Sequence, residues 1–137
     1  VIYFDTSVLV AYYTPEERSP EAAALVAGAD LPVVSDLVIA ELNVAVERKK
    51  RQGFLSQDAV TSVFSLFDED LREAFLTVSL EPRHFTATRA LASRSSVPLR
   101  TLDALHALIA SDVEATVATF DTRLHQAARA LGLSVLP

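Results

Sequence analysis

The chain has 137 residues, half of them apolar, and its 18 acidic and 12 basic side chains leave a net charge of −6. That length favours one domain over residues 1–137, no run reaches the roughly 18 apolar residues of a membrane span, and the acidic balance is the wrong sign for holding nucleic acid through surface lysines and arginines alone. Cysteine is absent, which excludes disulfides and thiolate–metal sites and fits a reducing cytosol; no secretory signal is visible, and a Val at position 1 of a chain without Met places the native start elsewhere.

The elements alternate along the chain. Residues 1–4 (Val-Ile-Tyr-Phe) are β-rich and continuously apolar, as in a strand buried on both faces. A short helix follows to about Tyr13. Ser19-Pro20 opens a second helix and Gly28 closes it, with Pro at the first helical position and Gly just past the end. Leu31–Val34 reads as the second strand. Residues 36–51 and 57–70 make two successive helices, the first ended by Gly53 and the second capped by Ser56. Ala74–Ser79 is the third strand, Pro82–Ser95 a helix, and Thr101–Ser111 another with Thr101 as its N-cap. Ala115–Phe120 is the fourth strand and 122–131 a helix with Leu124, Ala127, Ala128 and Leu131 on one face. Gly132 caps it, and Ser134–Leu136 is a short fifth strand. Strands separated by helices predict a mainly parallel sheet covered on both faces, with ligands outside the carboxyl ends of the strands.

Four carboxylates stand where carboxylates need a reason. Asp5 and Asp121 each directly follow an apolar strand, either as helix N-caps or as site residues at the sheet's carboxyl edge. Glu41 projects between Leu37, Val44 and Ala45, the face expected to be buried. A buried carboxylate must be protonated, paired or bound to metal; Arg100 and Arg123 are candidate partners. Asp103 lies in the first turn of a helix that is apolar almost all round. Dipole compensation there, under about 1 kcal/mol, is small beside the cost of burying a charge. Hard oxygen donors without cysteine or paired histidines suit Mg²⁺ or Mn²⁺. The residues alone thus describe an acidic, metal-binding α/β domain acting on phosphate.

Four segments resemble the PIN-domain family and, within it, the VapC-type toxins of type II toxin–antitoxin pairs. They are Tyr3-Phe4-Asp5-Thr6-Ser7-Val8-Leu9, Ser35-Asp36-Leu37-Val38-Ile39-Ala40-Glu41-Leu42, Thr101-Leu102-Asp103-Ala104-Leu105-His106 and Val117-Ala118-Thr119-Phe120-Asp121. Each is common by chance; all four in order, in these contexts, are not. The resemblance implies a three-layer α/β/α fold with strand order 3-2-1-4-5. It further implies an endoribonuclease in which Asp5, Glu41, Asp103 and Asp121 hold one or two Mg²⁺ or Mn²⁺ ions and a metal-activated water attacks the phosphodiester. Thr6, Ser7 and Thr119 would orient the acids by hydrogen bonds, or serve only as helix-start and strand-end hydroxyls. The implied partners are RNA, a cognate antitoxin and a second copy of the chain, in the cytoplasm.

Several residues have plainer readings. His106, three beyond Asp103, is read as a packed or supporting histidine rather than a ligand; His84 and His125 are assigned nothing. Arg48-Lys49-Lys50-Arg51 suits a helix C-terminus on a solvated face, or contacts an RNA backbone. Tyr12 and Tyr13 are core or dimer-surface residues. The helical pair 36–70 carries Val60, Val63, Phe64 and Phe67, more apolar surface than one sheet contact needs. Either these residues pack the two helices together, or an antitoxin segment docks there and puts an Arg or Lys beside the acids. A receiver-type domain fits poorly, because Asp5 has no acidic neighbour and no Lys follows Lys50. The same acids would also serve a PIN nuclease of RNA processing, or a catalytically silent module that binds metal or protein.

Overall fold

Apolar residues on both sides of a strand require a sheet with two covered faces, and Ile2–Phe4 forms the central strand, β1, of a five-stranded sheet. A computed structural model describes residues 1–137. β2 (Pro32–Ser35) and β3 (Leu76–Val78) lie to one side of β1, and β4 (Thr116–Ala118) and β5 (Val135–Leu136) to the other. The order is therefore 3-2-1-4-5, with every neighbouring pair parallel. Tyr3, Phe4, Val33, Val34 and Val117 are fully buried between the helical layers.

Parallel neighbours need crossovers, and right-handed crossovers that leave β1 in opposite directions put their helices on opposite faces. α1 (Thr6–Tyr13), α2 (Ser19–Ala27), α3 (Asp36–Arg51) and α4 (Gln57–Glu73) make the first two crossovers. They pack on one another, α1 against α2 and α3, and α3 against α4. α5 (Pro82–Arg94), α6 (Thr101–Asp112) and α7 (Thr122–Ala130) make the remaining ones, with α6 packed between its two neighbours. The strand order reverses at β1 and β4, so their carboxyl ends open a crevice between the two helical groups.

Element ends differ from the sequence expectation for identifiable reasons. α4 runs to Glu73, three residues beyond the expected end, and Leu71 packs on the core. β3 is accordingly shorter than 74–79, since Ala74 is the α4 C-cap. Past β4, Thr119 N–H still donates to the Leu136 carbonyl, but the next two amides bind side chains and end the ladder: Phe120 N–H donates to Ser7 Oγ and Asp121 N–H to Thr119 Oγ1. Thr101 is not the N-cap of α6; Arg100 holds that position, without a side-chain capping bond. Gly53 has φ +84°, the left-handed conformation that ends α3. Gly28 ends α2 at φ −86°, so glycine's freedom is unused there.

The apolar surplus assigned to α3 and α4 is largely internal. Val60, Val63 and Phe67 are buried, and Phe64 is half-buried against the core. Phe67 stacks edge-on against Tyr13 with ring centroids 5.4 Å apart, and the Tyr13 hydroxyl donates to Asp70, fastening α1 to α4. The large apolar side chains that this pair exposes are Val44, Phe54 and Leu66. Phe67→Ala should therefore cost about 3–5 kcal/mol of unfolding free energy in a denaturant titration. Leu66→Ser, one position earlier on the same helix, should cost no more than about 0.5 kcal/mol.

Candidate active site

Asp5, Glu41, Asp103 and Asp121 all line one cavity of about 320 Å³ at the carboxyl edge of the sheet, together with Thr6, Ser7, Arg100 and His106. Each acid arrives on a different element. Asp5 follows β1 and Asp121 follows β4, while Glu41 sits in α3 and Asp103 in the first turn of α6. The capping and site roles of the first two acids coexist. Asp5 Oδ1 accepts from Val8 N–H at the start of α1, and Asp121 Oδ1 accepts from Arg123 N–H at the start of α7. The second oxygen of Asp5 accepts from Thr119 Oγ1 and that of Asp121 from Arg100, and both acids line the cavity.

Asp5 is the most deeply set acid, at 4 % exposure, and it has no cationic side chain within hydrogen-bonding distance. Hydroxyls take that place: Ser7 Oγ donates to Oδ1 at 2.7 Å and Thr119 Oγ1 to Oδ2 at 2.9 Å. Those same hydroxyls accept the Phe120 and Asp121 amides, so β1 and β4 are tied together through the carboxylate. Burial pushes the Asp5 carboxyl above its ordinary range, against these lowering contacts.

Glu41 terminates a buried chain of hydrogen bonds. Thr6 Oγ1 donates to Glu41 Oε2 at 2.5 Å, and His106 Nε2 lies 2.7 Å from the same oxygen. His106 Nδ1 is 2.7 Å from the hydroxyl of Tyr3, which is 2.8 Å from Ser35 Oγ. Ser35 Oγ in turn accepts Val38 N–H and caps α3. One proton assignment satisfies every atom: Ser35 donates to Tyr3, Tyr3 to His106 Nδ1, and His106 Nε2–H to Glu41. Burial works against the charge on Glu41, but His106, Thr6 and the nearby Arg100 guanidinium outweigh it and bring the carboxyl below its usual range.

Asp103 and Asp121 share one cation. Arg100 Nε donates to Asp103 Oδ2 at 2.9 Å and Nη2 to Asp103 Oδ1 at 3.3 Å; Nη2 also reaches Asp121 Oδ2 at 3.0 Å. Partial burial raises the Asp121 carboxyl, but the Arg123 and Leu124 amides and Arg100 more than offset it and hold it below its ordinary range. The pairing differs from the sequence expectation, in which Arg100 or Arg123 would balance Glu41. Arg123 gives only its backbone amide to Asp121, and Glu41 bonds to His106. Local geometry decides this, because Arg100 and Asp103 stand three residues apart at a helix start.

The other singled-out residues separate cleanly. His106 is buried at 4 % exposure and supports Glu41, which the three-residue spacing from Asp103 could have signalled. Tyr3 and Ser35 escaped sequence reasoning, although a buried Tyr hydroxyl always needs a partner. His84 is buried elsewhere, bridging the Glu81 amide and Asp112. In the basic run, Lys49 pairs with Glu16 and Lys50 with Glu47, while Arg48 lines an adjacent groove with Glu41, Val44 and Leu102. Arg18 stacks over Phe120 at 3.6 Å and pairs with Glu21. Tyr13 belongs to the interior contact with Phe67, and Tyr12 is 37 % exposed.

The donor set suits a hard divalent cation: oxygen ligands from four carboxylates on one cavity, braced by hydroxyls, without a thiolate. No three of the carboxylates and histidines are disposed, as they stand, to grip one ion together.

A family profile described as PIN domain matches residues 2–130. A curated relative from Mycobacterium tuberculosis, Ribonuclease VapC45, is 32 % identical over 143 residues, covering all of this chain and 95 % of the relative. Among solved structures, Mycobacterium tuberculosis VapC20, described as a Sarcin-Ricin loop cleaving toxin, superposes with a TM-score of 0.74 at 16 % identity, over 93 % of this chain and 95 % of that one. VapBC2 from Rickettsia felis, solved bound to a DNA fragment from its promoter, gives 0.69 at 18 % identity, over 99 % and 98 %.

Two substitutions separate charge from packing in this cavity. Asp5→Asn keeps a capping oxygen and removes a buried charge, so the metal-free protein should gain about 1 kcal/mol, or a few degrees in Tm. Tyr3→Phe strands His106 Nδ1 and Ser35 and should lose about 1–3 kcal/mol. Thermal melts in EDTA read both; a destabilised Asp5→Asn protein would mean that the carboxylate is a net asset to the metal-free fold.

Proposed function

The chain belongs to the PIN-domain family, and on that premise we propose that it is a Mg²⁺- or Mn²⁺-dependent endoribonuclease acting as the toxin of a toxin–antitoxin pair. The observation that carries the reading is the meeting of four carboxylates from four elements on a single open cavity, in a chain without cysteine, where the one serine of the cavity, Ser7, is hydrogen-bonded. Ser7 Oγ is fully engaged, donating to Asp5 and accepting from Phe120 N–H. The arrangement therefore favours hydrolysis by water over a covalent enzyme intermediate.

Asp5, Glu41, Asp103 and Asp121 are the residues that would hold the cation. When bound there, it supplies a lowered water pKa and a counter-charge for the phosphorane-like transition state. The protein's own groups do the positioning. Ser7 and Thr119 fix both oxygens of Asp5, and Thr6 and His106 fix Oε2 of Glu41, so the acids meet the substrate with little reorganisation. RNA would enter beside the adjoining groove that Arg48 lines. That side chain offers a phosphate contact on a chain of net charge −6.

A cognate antitoxin, covering the cavity until release, is the partner this reading requires; a second copy of the chain is proposed from the resemblance. The surface expected to receive the antitoxin moves from Val60, Val63 and Phe67, which are buried, to the groove beside Glu41 where Val44 and Leu102 are exposed. An antitoxin cation placed in the cavity would compete for the acids. No helix is long and apolar enough to cross a membrane, in keeping with the cytoplasmic setting proposed.

Purified protein should cut single-stranded RNA with Mg²⁺ or Mn²⁺ and stop on addition of EDTA. Asp103→Asn should lower kcat/KM about a hundredfold or more, at least about 2.7 kcal/mol of transition-state stabilisation, with the circular dichroism spectrum unchanged. Cleavage that survives both chelator and substitution would reject the mechanism. The gene product encoded next to this chain should co-purify and suppress cleavage; a nuclease active within that complex would point to RNA processing.

A further inference from the structure

The cation closest to the acids belongs to the chain itself. Arg100 spreads one guanidinium over three carboxylate oxygens, both of Asp103 and one of Asp121. Its charge also reaches Glu41. The same cavity holds no three groups poised to grip one ion. These facts share a cause. A guanidinium fork spreads its partner oxygens at about 2.7–2.9 Å from separate nitrogens, whereas Mg²⁺ draws oxygens to about 2.0–2.1 Å from one centre. With the guanidinium in place, both Asp103 oxygens and Asp121 Oδ2 are turned toward its separate nitrogens rather than toward one centre.

Resting on the metal-dependent reading above, we propose that Arg100 is a displaceable counter-ion, and that the divalent cation binds by exchange with its guanidinium on Asp103 and Asp121. The site is built unevenly, which favours entry at this side. Asp5 is braced by two hydroxyls and an amide, and Glu41 by Thr6 and a buried histidine. Those contacts fix the acids without placing an arginine or lysine on them. Arg100, in contrast, has a side chain that is 51 % exposed, and Asp121 is 37 % exposed. The guanidinium has no side-chain partner outside these two acids. The Asp103 side chain is only 7 % exposed, so the guanidinium leaves it at little cost only if another cation takes its place, which makes release an exchange rather than a simple opening. Arg100 thus neutralises part of the cluster in the metal-free protein and sets a threshold that the metal must exceed.

Manganese binding to wild type, Arg100→Gln, Arg100→Lys and Asp103→Asn, followed by calorimetry and by the spin-resonance signal of free Mn²⁺, tests the exchange. Arg100→Gln should bind Mn²⁺ about tenfold more tightly than wild type, because the ion no longer displaces a cation. Arg100→Lys should stay near wild type and Asp103→Asn should bind weakly. Free guanidinium chloride at low concentration should weaken Mn²⁺ binding to Arg100→Gln more than to wild type, as a stand-in for the missing side chain. In the wild-type protein, Mg²⁺ should shift the Arg100 Nε–H resonance to that of a solvated guanidinium, a measurement that needs no variant to fold. Equal or weaker binding by Arg100→Gln, or an Nε–H signal that Mg²⁺ leaves in place, would overturn the exchange and make Arg100 a positioning residue, with the metal-dependent reading intact. If neither wild type nor Arg100→Gln binds Mn²⁺, the metal-dependent reading falls and the exchange falls with it.

Discussion

The mutual repulsion of four carboxylates at one edge of a small sheet is the constraint around which this chain is arranged. Each acid is placed by an element whose position the hydrophobic core fixes, so none is free to retreat into water as its neighbours ionise. Asp5 follows a strand that is buried on both faces, and Asp103 is held in the first turn of a helix with seven buried residues. The core thus imposes an electrostatic cost, and the polar groups around the cavity offset it. They do so by three different means. Asp5 is stabilised by dipoles, Glu41 by dipoles and a histidine, and Asp103 with Asp121 by a full positive charge.

Those means have different consequences. Hydroxyl and amide donors stabilise an anion without cancelling its charge, and they keep it available to a cation. A guanidinium cancels charge and occupies the oxygens. The half of the cavity around Asp5 and Glu41 is therefore prepared without a bound cation, while the half around Asp103 and Asp121 is held in check. The same hydrogen bonds serve the fold as well. Ser7 and Thr119 carry the chain from β4 into α7, and Ser35 caps α3 while it anchors Tyr3. Removing any of these would disturb fold and chemistry together, so the prepared half and the architecture are one structure.

Most of the architecture was legible because its signals are local. Continuous apolar strands, Ser-Pro at a helix start, Gly53 beyond a helix end and the Ser56 cap each act within a few residues. The four acids were legible for a related reason: a carboxylate directly after an apolar strand, or on an apolar helix face, conflicts with its surroundings. What the chain concealed lies at long sequence separation. The Tyr3–His106 and Glu41–His106 contacts join residues 103 and 65 positions apart, and no periodicity reports them. Arg100 was half legible. Its spacing from Asp103 is local, but its second contact, with Asp121, depends on α7 starting beside α6. The surplus of apolar residues on α4 left two readings open, and internal packing holds for Val60, Val63 and Phe67 because a helix that packs on both α1 and α3 needs more than one apolar stripe.

The net charge of −6 also takes on a different meaning once the site is assembled. Averaged over the surface it argues against an RNA ligand, but a polyanion responds to the field at the place where it binds. On the proposed function, the cavity repels phosphate while its carboxylates are bare and attracts it once a dication is present. Metal and RNA would then bind with positive coupling, each raising the affinity for the other by the same factor. Arg100 modifies that coupling from within. On the proposed exchange, it would reduce the repulsion of phosphate and oppose the metal while it lies on Asp103 and Asp121; once displaced, it would add a free cation near the groove that Arg48 lines. An acidic protein can in this way hold an acidic substrate without a basic surface, because the positive charge is assembled in the cavity when the metal arrives.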